Sequence, residues 1–294
     1  MPELPEVETM RRGIAPAVGM RVNLVEIPRG RLRPLLIEPP PKTFASQLRG
    51  SVLEAVDRYG KRLALRFRKS SAGASPRTSA AEGGVHWLVV EPRMTGLLLV
   101  ADPPTQEHVR LRLRGGGPHG SELDLLFWDR RGLGTLRLVG ADGLERLCGQ
   151  ACLGPDALAI SVEALIAKLG ASSRAVKVAL LDQKVLAGVG NLYAAEILFR
   201  AGIDPRTRCQ RLTRPRWKRL HAVMGEVLAE AIELEGSTLS DATYRTALNE
   251  PGRYQSRHRV YARSGQPCDV CGTEILRIVQ AQRSTFFCRQ CQVR

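Results

Sequence analysis

The chain has 294 residues, 44% of them hydrophobic, enough to bury a core in one large domain or two of ordinary size. It contains no apolar run of about 18 residues and no basic-then-apolar leader, which excludes a transmembrane helix and a secretory signal and points to the cytoplasm. Lysine and arginine number 44 against 29 acidic residues, a net charge of +15 that draws the chain toward polyanions. Arginines stand beside candidate loops in DRRG, RPRWKR, RYQSRHR and AQRS, and their forked donors match phosphate, so nucleic acid is the expected partner.

In chain order, PELPEVETMRRG (2–13) reads as a short helix, with Glu3, Glu6 and Glu8 near its positive start and Arg11 and Arg12 at its end. From Met20 to about Leu138 the apolar residues come in short runs, among them RLALRFR, VHWLVV, HVRLRLR and LDLLFW. HVRLRLR alternates strictly, as a half-buried strand does, and several such runs between glycines and prolines predict a β-sandwich or barrel. Two small, polar, glycine-rich segments, 69–84 and 114–120, are expected to be flexible hairpin loops. Near LCGQACLGPDAL (147–158) the pattern changes to helical spacing. SVEALIAKLG, RAVKVALLDQ and NLYAAEILFRAG are predicted helices, the last with Asn191 at its N-cap and Gly202 at its stop. A longer helix is predicted from about Pro215 to Leu234, capped by Thr213, and the stretch after it has no clean period.

Seven cysteines occur, and Cys148, Cys152 and Cys209 read as scattered, buried small hydrophobes. The other four form a pattern. Cys268-x2-Cys271 and Cys288-x2-Cys291 have the spacing of a four-cysteine zinc ribbon, with EILRIVQAQRSTFF as the connecting hairpin. Four thiolates close the coordination sphere, so one zinc ion is expected to be structural. The hairpin displays Gln282, Arg283 and Ser284, and Arg283 is the expected phosphate contact of the reacting site.

PELPEVETMRRG, LLDQKVLAGVGNLYAAEILFRAGIDP and AQRSTFFCRQCQ together resemble bacterial formamidopyrimidine-DNA glycosylase, over most of the chain apart from the two loops. The resemblance implies an α+β protein: an N-terminal β-sandwich domain with an N-terminal helix (1–146), a linker (147–156), a helix–two-turn–helix DNA-binding domain (157–262) and a zinc finger (263–294). It implies a base-excision repair glycosylase and abasic-site lyase that removes oxidised purines, 8-oxoguanine and formamidopyrimidines, from double-stranded DNA. Two domains clamping DNA need no second copy, so a monomer is expected.

By the resemblance, the processed N-terminal Pro2 attacks C1′ of the damaged nucleoside and β,δ-elimination follows. The amine must be unprotonated, and an ordinary α-amine has a pKa of roughly 7.7–8.0, so nearby cations or burial must favour the free form. Lys61 in RYGKRL matches the family lysine and is the candidate for that field. Glu3 adjoins the nucleophile and is placed to shuttle protons to the ribose ring oxygen, with Glu6 in a supporting role.

An extruded base leaves a gap that side chains must fill. The resemblance assigns Met94 and Arg131 to that task, with Leu133 where phenylalanine is usual. EPRM replaces the usual His-Leu-Gly before the methionine, bringing Pro92 and Arg93 beside it. Gln106-Glu107-His108 stands for His-Asp-His, leaving His108 as a DNA contact, and a basic pair is thinned to Ser172, Ser173 and Arg174. In VGNLYAAE, Gly188 and Gly190 are expected to let backbone approach a phosphate, with Asn191 donating to it and Lys184 adding charge. The competing readings are an endonuclease VIII-like glycosylase for oxidised pyrimidines and a non-catalytic damaged-DNA binder.

Overall fold

The computed structural model describes residues 2–28, 33–69, 84–117 and 120–294. Most of the expected loop at 69–84, and residues 118–119 of the other, lie outside the described residues. The chain divides into two compact units. The first comprises Pro2, Glu6–Gly149 and Ser237–Gly252; the second comprises Glu3–Pro5, Gln150–Gly236 and Arg253–Arg294. The segment Ser237–Gly252 thus packs with the sheet unit, not with the helical residues that flank it in sequence. The reason is local: the Ser237 N–H donates to the Glu6 carboxylate at 2.9 Å, and the Val100 N–H donates to the Ala247 carbonyl at 2.9 Å.

The first unit begins with α1 (Leu4–Ile14), whose residues from Glu6 onward belong to it. There follow β1 (Arg21–Glu26), β2 (Leu36–Glu38), α2 (Pro41–Leu48), β3 (Ser51–Tyr59), β4 (Arg62–Lys69), β5 (Val85–Glu91), β6 (Gly96–Leu99), β7 (Val109–Gly116), β8 (Glu122–Asp129), β9 (Thr135–Val139) and α3 (Ala141–Cys148). The strands are hydrogen-bonded in the order β2-β9-β5-β4-β3-β1-β7-β8-β6. Leu97–Leu99 at one end of the sheet and Leu136 and Leu138 near the other share one apolar cluster with Leu63, Leu65, Leu88 and Val90. A sheet whose two ends bury side chains in one core must fold over on itself, which gives the sandwich expected from the alternating runs.

β7 shows how composition sets this layering. Val109, Leu111 and Leu113 point inward, while Arg112 and Arg114 on the other face both pair with Asp124 of β8, at 2.9 and 2.8 Å. The strand continues through Arg114, Gly115 and Gly116, which corrects the loop expected to start at 114. A Cβ on Gly115 would lie 1.8 Å from the Arg21 carbonyl oxygen, so this glycine serves close pairing with β1 rather than a turn. α2 and α3 have eight residues each, too short for helical periodicity to show. α2 buries only Phe44 and Leu48, one turn apart.

The second unit contains α4 (Val162–Leu169), α5 (Val176–Leu180), α6 (Asn191–Arg200), α7 (Arg214–Glu233) and the hairpin β10 (Ile275–Gln280) and β11 (Arg283–Cys288). α6 is buried on all sides from Leu192 to Phe199, the signature of a central helix. α7 buries Trp217, Leu220, Met224, Val227, Leu228 and Ala231, the three- and four-residue spacing of one apolar face. Its cap position is Thr213, whose side chain makes no capping bond. α5 stops at Leu180, so the helix expected over RAVKVALLDQ is half its predicted length; the Asp182 carbonyl instead accepts turn bonds from Val185 and Leu186. Among the described residues no helix is long and apolar enough to cross a membrane.

Candidate active site and DNA-contact residues

Pro2 is buried and directly precedes Glu3. Glu3, 3% exposed, places its carboxylate on the first turn of α6, accepting from the Leu192 N–H at 3.0 Å and the Tyr193 N–H at 3.3 Å. A helix N-terminus offers unpaired N–H groups and partial positive charge, and here a carboxylate takes two of them. A Cβ on Gly190 would stand 2.1 Å from the Glu3 carboxyl carbon. Gly188 has φ +109, a conformation suited to glycine, and its carbonyl accepts from the Leu4 N–H at 3.1 Å. The two glycines expected to admit a phosphate therefore admit the N-terminal segment itself.

Asn191 is the first residue of α6, and Gly190 holds the N-cap position, which corrects the expected cap. The Asn191 side chain is engaged elsewhere: its Oδ1 accepts from Lys177 Nζ at 2.8 Å. An ammonium group only donates, so the amide oxygen must face Lys177 and the NH2 must face away, as a donor to an incoming acceptor. Lys177 is 1% exposed and also donates to the Ser284 carbonyl at 2.9 Å and Thr285 Oγ1 at 2.6 Å. Its three protons thus have three acceptors, from α6 and from β11. Burial pushes its pKa down to about 8, with Glu3 opposing the shift and Arg283 adding to it. Sequence reading missed Lys177, because a lone lysine between apolar residues of a short helix carries no local signal that it is buried.

The hairpin that Lys177 grips turns through Ala281 (φ 45) and Gln282 (φ 60), and Arg283 follows at its exposed tip. Two consecutive left-handed residues make the tight turn that matches strand twist, here without glycine. At the other end of the hairpin lie Cys268, Cys271, Cys288 and Cys291, whose sulfurs are all within 4.8 Å of one another. The Cys268–Cys291 and Cys271–Cys288 Sγ separations are 3.8 and 3.5 Å. Tetrahedral zinc with bonds of about 2.3 Å needs sulfurs about 3.8 Å apart, so the four residues fit one structural zinc ion with no ligand position left open. Cys268, Ile275 and Cys288 pack on Ala195 and Phe199, which joins the metal site to the far side of α6. Glu196, wholly buried in α6, accepts from the N–H groups of Arg259, Val260 and Tyr261 at 2.8–3.0 Å and anchors the approach to the finger.

In the sheet unit, Lys61 is half-buried in the two-residue turn joining β3 to β4. Met94 and Leu133 are also half-buried and Arg131 is exposed. Asp129, fully buried, gathers the two loops that carry them: its carboxylate accepts from Thr95 Oγ1, from the Arg131 N–H at 3.2 Å and from the Gly134 N–H at 2.8 Å. The Arg131 N–H also reaches Thr95 Oγ1 at 3.0 Å. Arg93, next to Met94, has φ 57 and pairs with Glu91 at 2.8 Å. His108 bonds Thr105 Oγ1 through Nδ1 at 2.8 Å and packs its ring against Trp128. Glu6 is buried and holds Ser237, as described for the fold.

Two expected contacts of the helical unit are less open. Arg174 is exposed but bonded to Asp182 at 2.9 Å, and Lys184 is exposed with its N–H on Asp182 Oδ1. Cys148 and Cys209 are buried, as expected of small hydrophobes, and Cys152 is partly exposed.

Comparison with known proteins agrees along the whole chain. Residues 1–136 match the formamidopyrimidine-DNA glycosylase N-terminal domain, residues 153–243 the formamidopyrimidine-DNA glycosylase H2TH domain, and residues 265–293 the zinc finger found in FPG and IleRS. A formamidopyrimidine-DNA glycosylase of Symbiobacterium thermophilum is 38% identical over 99% of this chain and 89% of its own. The crystal structure of MutM (FPG) from Thermus thermophilus is similar with a TM-score of 0.79 and 36% identity, covering 99% of this chain and 98% of that one. Lactococcus lactis Fpg in complex with an abasic-site-containing DNA is similar with a TM-score of 0.82 and 28% identity, each chain covered in full.

Proposed function

The chain belongs to the formamidopyrimidine-DNA glycosylase family, and we propose that it excises oxidised purines from double-stranded DNA and cuts the strand through an imine on Pro2. It is a DNA glycosylase of base-excision repair with one structural zinc ion held by Cys268, Cys271, Cys288 and Cys291. It works in the cytoplasm on chromosomal DNA.

Once Met1 is removed, the Pro2 nitrogen attacks C1′ of the damaged nucleotide. The N–C1′ bond forms as the glycosidic bond breaks, and the base leaves with that electron pair and takes up a proton. Opening of the sugar gives a cationic iminium, which acidifies C2′. Loss of the C2′ proton expels the 3′ phosphate, and a second elimination expels the 5′ phosphate. Glu3 protonates the ring oxygen as the sugar opens, and Lys61 supplies positive charge. Asn191, Arg283, His108, Arg174 and Lys184 hold backbone phosphates, while Met94, Arg131 and Leu133 fill the space vacated by the base.

One observation carries this reading. The Glu3 carboxylate is pinned by two α6 N–H groups, beside the Asn191 amide and the Lys177-held hairpin of Arg283. The residue after Pro2 is therefore fixed beside an amide NH2 and a hairpin with an exposed arginine, which supports the reading. Incubating the protein with an 8-oxoguanine:cytosine duplex and sodium borohydride should trap a covalent adduct that mass spectrometry maps to Pro2. No adduct here or on an abasic duplex, with Met1 shown to be absent, would overturn the imine mechanism. Glu3→Gln should slow excision by roughly 10²–10⁴-fold, the usual span for a proton-transfer group.

A further inference from the structure

Behind the zinc hairpin, the segment after α6 builds a second basic feature. A cavity of about 570 Å³ is lined by Arg206, Thr207, Arg208, Arg211 and Arg294. Four guanidinium groups facing one space repel each other, and such a cluster persists where an anion neutralises it. Asp204 offsets part of this charge: it takes Arg206 at 2.6 Å and lies 3.6 Å from Arg294. Arg208 and Arg211 are exposed, and among the described residues neither makes a side-chain hydrogen bond or ion pair.

The floor of the cavity gives an independent sign. Thr207 is 3% exposed, yet its Oγ1 has no hydrogen-bond partner among the described residues. A buried unpaired hydroxyl costs free energy, which a ligand oxygen at that point would recover. The segment is rigidly held. Thr207 donates its N–H to the Asp204 carbonyl at 3.0 Å and accepts at its own carbonyl from Val176 at 2.8 Å, and the Cys209 N–H donates to the Arg174 carbonyl at 3.0 Å. Gln280 of the zinc hairpin donates to the Pro205 carbonyl at 3.3 Å. The cavity is thus bonded on one side to the segment of Arg174 and on the other to the hairpin that ends in Arg283.

We propose that this cavity is a second phosphate-binding site, taking a backbone phosphate of the duplex away from the damaged nucleotide. The lining offers forked guanidinium donors and a hydroxyl but no aromatic face, so it suits a phosphate and not a base. The inference rests on the chain being a DNA glycosylase, and the test keeps the two apart. Arg208→Gln/Arg211→Gln would be compared with the parent protein for affinity to an undamaged 25-base-pair duplex across a salt series. The slope of log K against log salt should shrink by about one to two, with affinity down roughly tenfold at physiological salt. Single-turnover excision at saturating enzyme should stay unchanged.

Thr207→Val should weaken the same duplex two- to threefold while leaving Tm equal or higher, because the hydroxyl it removes has no partner in the free protein. Inorganic pyrophosphate titrated calorimetrically against both proteins separates the possible sources. Binding of pyrophosphate to the parent alone, with identical DNA salt slopes, would overturn the DNA assignment in favour of a free phosphate. Identical slopes and no pyrophosphate binding would overturn the site altogether. Absence of excision by the parent protein would instead strike the glycosylase reading.

Discussion

The turn that carries Arg131 and the hairpin that carries Arg283 present exposed arginines by opposite means. Behind the first, buried Asp129 draws N–H groups together; behind the second, buried Lys177 draws a carbonyl, a hydroxyl and an amide oxygen together. In each, one buried charge with its hydrogen bonds satisfied fixes the backbone root of an arginine whose tip meets solvent. The difference lies in what else supports them. The Arg131 turn sits on the sheet core, whereas the hairpin has a metal at its far end and a lysine with a lowered pKa at its near end.

Removing the metal should separate the two most sharply. Structural zinc binding is worth on the order of 10 kcal/mol, so chelation should unfold the finger. Hydrogen exchange should show protection lost over residues 265–293 and kept around 95–135; equal loss in both would contradict independent support. Asp129→Asn is the next largest. It sets an NH2 against an N–H or hydroxyl donor at a fully buried site and should lower stability by about 2–3 kcal/mol in urea melts, with the zinc content unchanged.

Lys177→Met sharpens the contrast through pH. The folded pKa of Lys177, about 8, lies below the ordinary 10.5, so the unfolded chain holds the proton more tightly. Its contribution to stability therefore rises as pH climbs from about 8 toward 10.5, and Lys177→Met should flatten that rise. The charge itself is lost above pH 8, so duplex affinity should fall between pH 7 and 9 in the parent and change less in the variant. Arg93→Gly should have the smallest effect. Relief of a left-handed residue is worth about 1–2 kcal/mol, against the greater unfolded-state freedom of glycine and the loss of one arginine partner of buried Glu91, which keeps Arg62 at 2.9 Å, for a net gain of about 0.5 kcal/mol. A lower melting temperature would mean that the Arg93 backbone is not strained.

Much of this is legible in local sequence patterns. The alternation in HVRLRLR, the helical spacing of α7 and the two CxxC pairs each report a local rule, so strand, helix and metal site could be read directly. Helix-end grammar points to Asn191 as the cap and says nothing of a glutamate 189 residues away that docks on the same turn. α2 and α3 leave no readable period, because eight residues hold little more than two turns.

The two kinds of unit, the zinc ligands, the excess of arginine and the family are all carried by spacing, motif and composition. The docking of Glu3 on α6, the joining of Ser237–Gly252 to the sheet unit and the burial of Lys177 and Asp129 as anchors emerge only in the folded chain. The physical reason is range. Periodicity and capping act within a few residues, whereas the cost of burying a charge is settled by partners that the chain brings from far along its length.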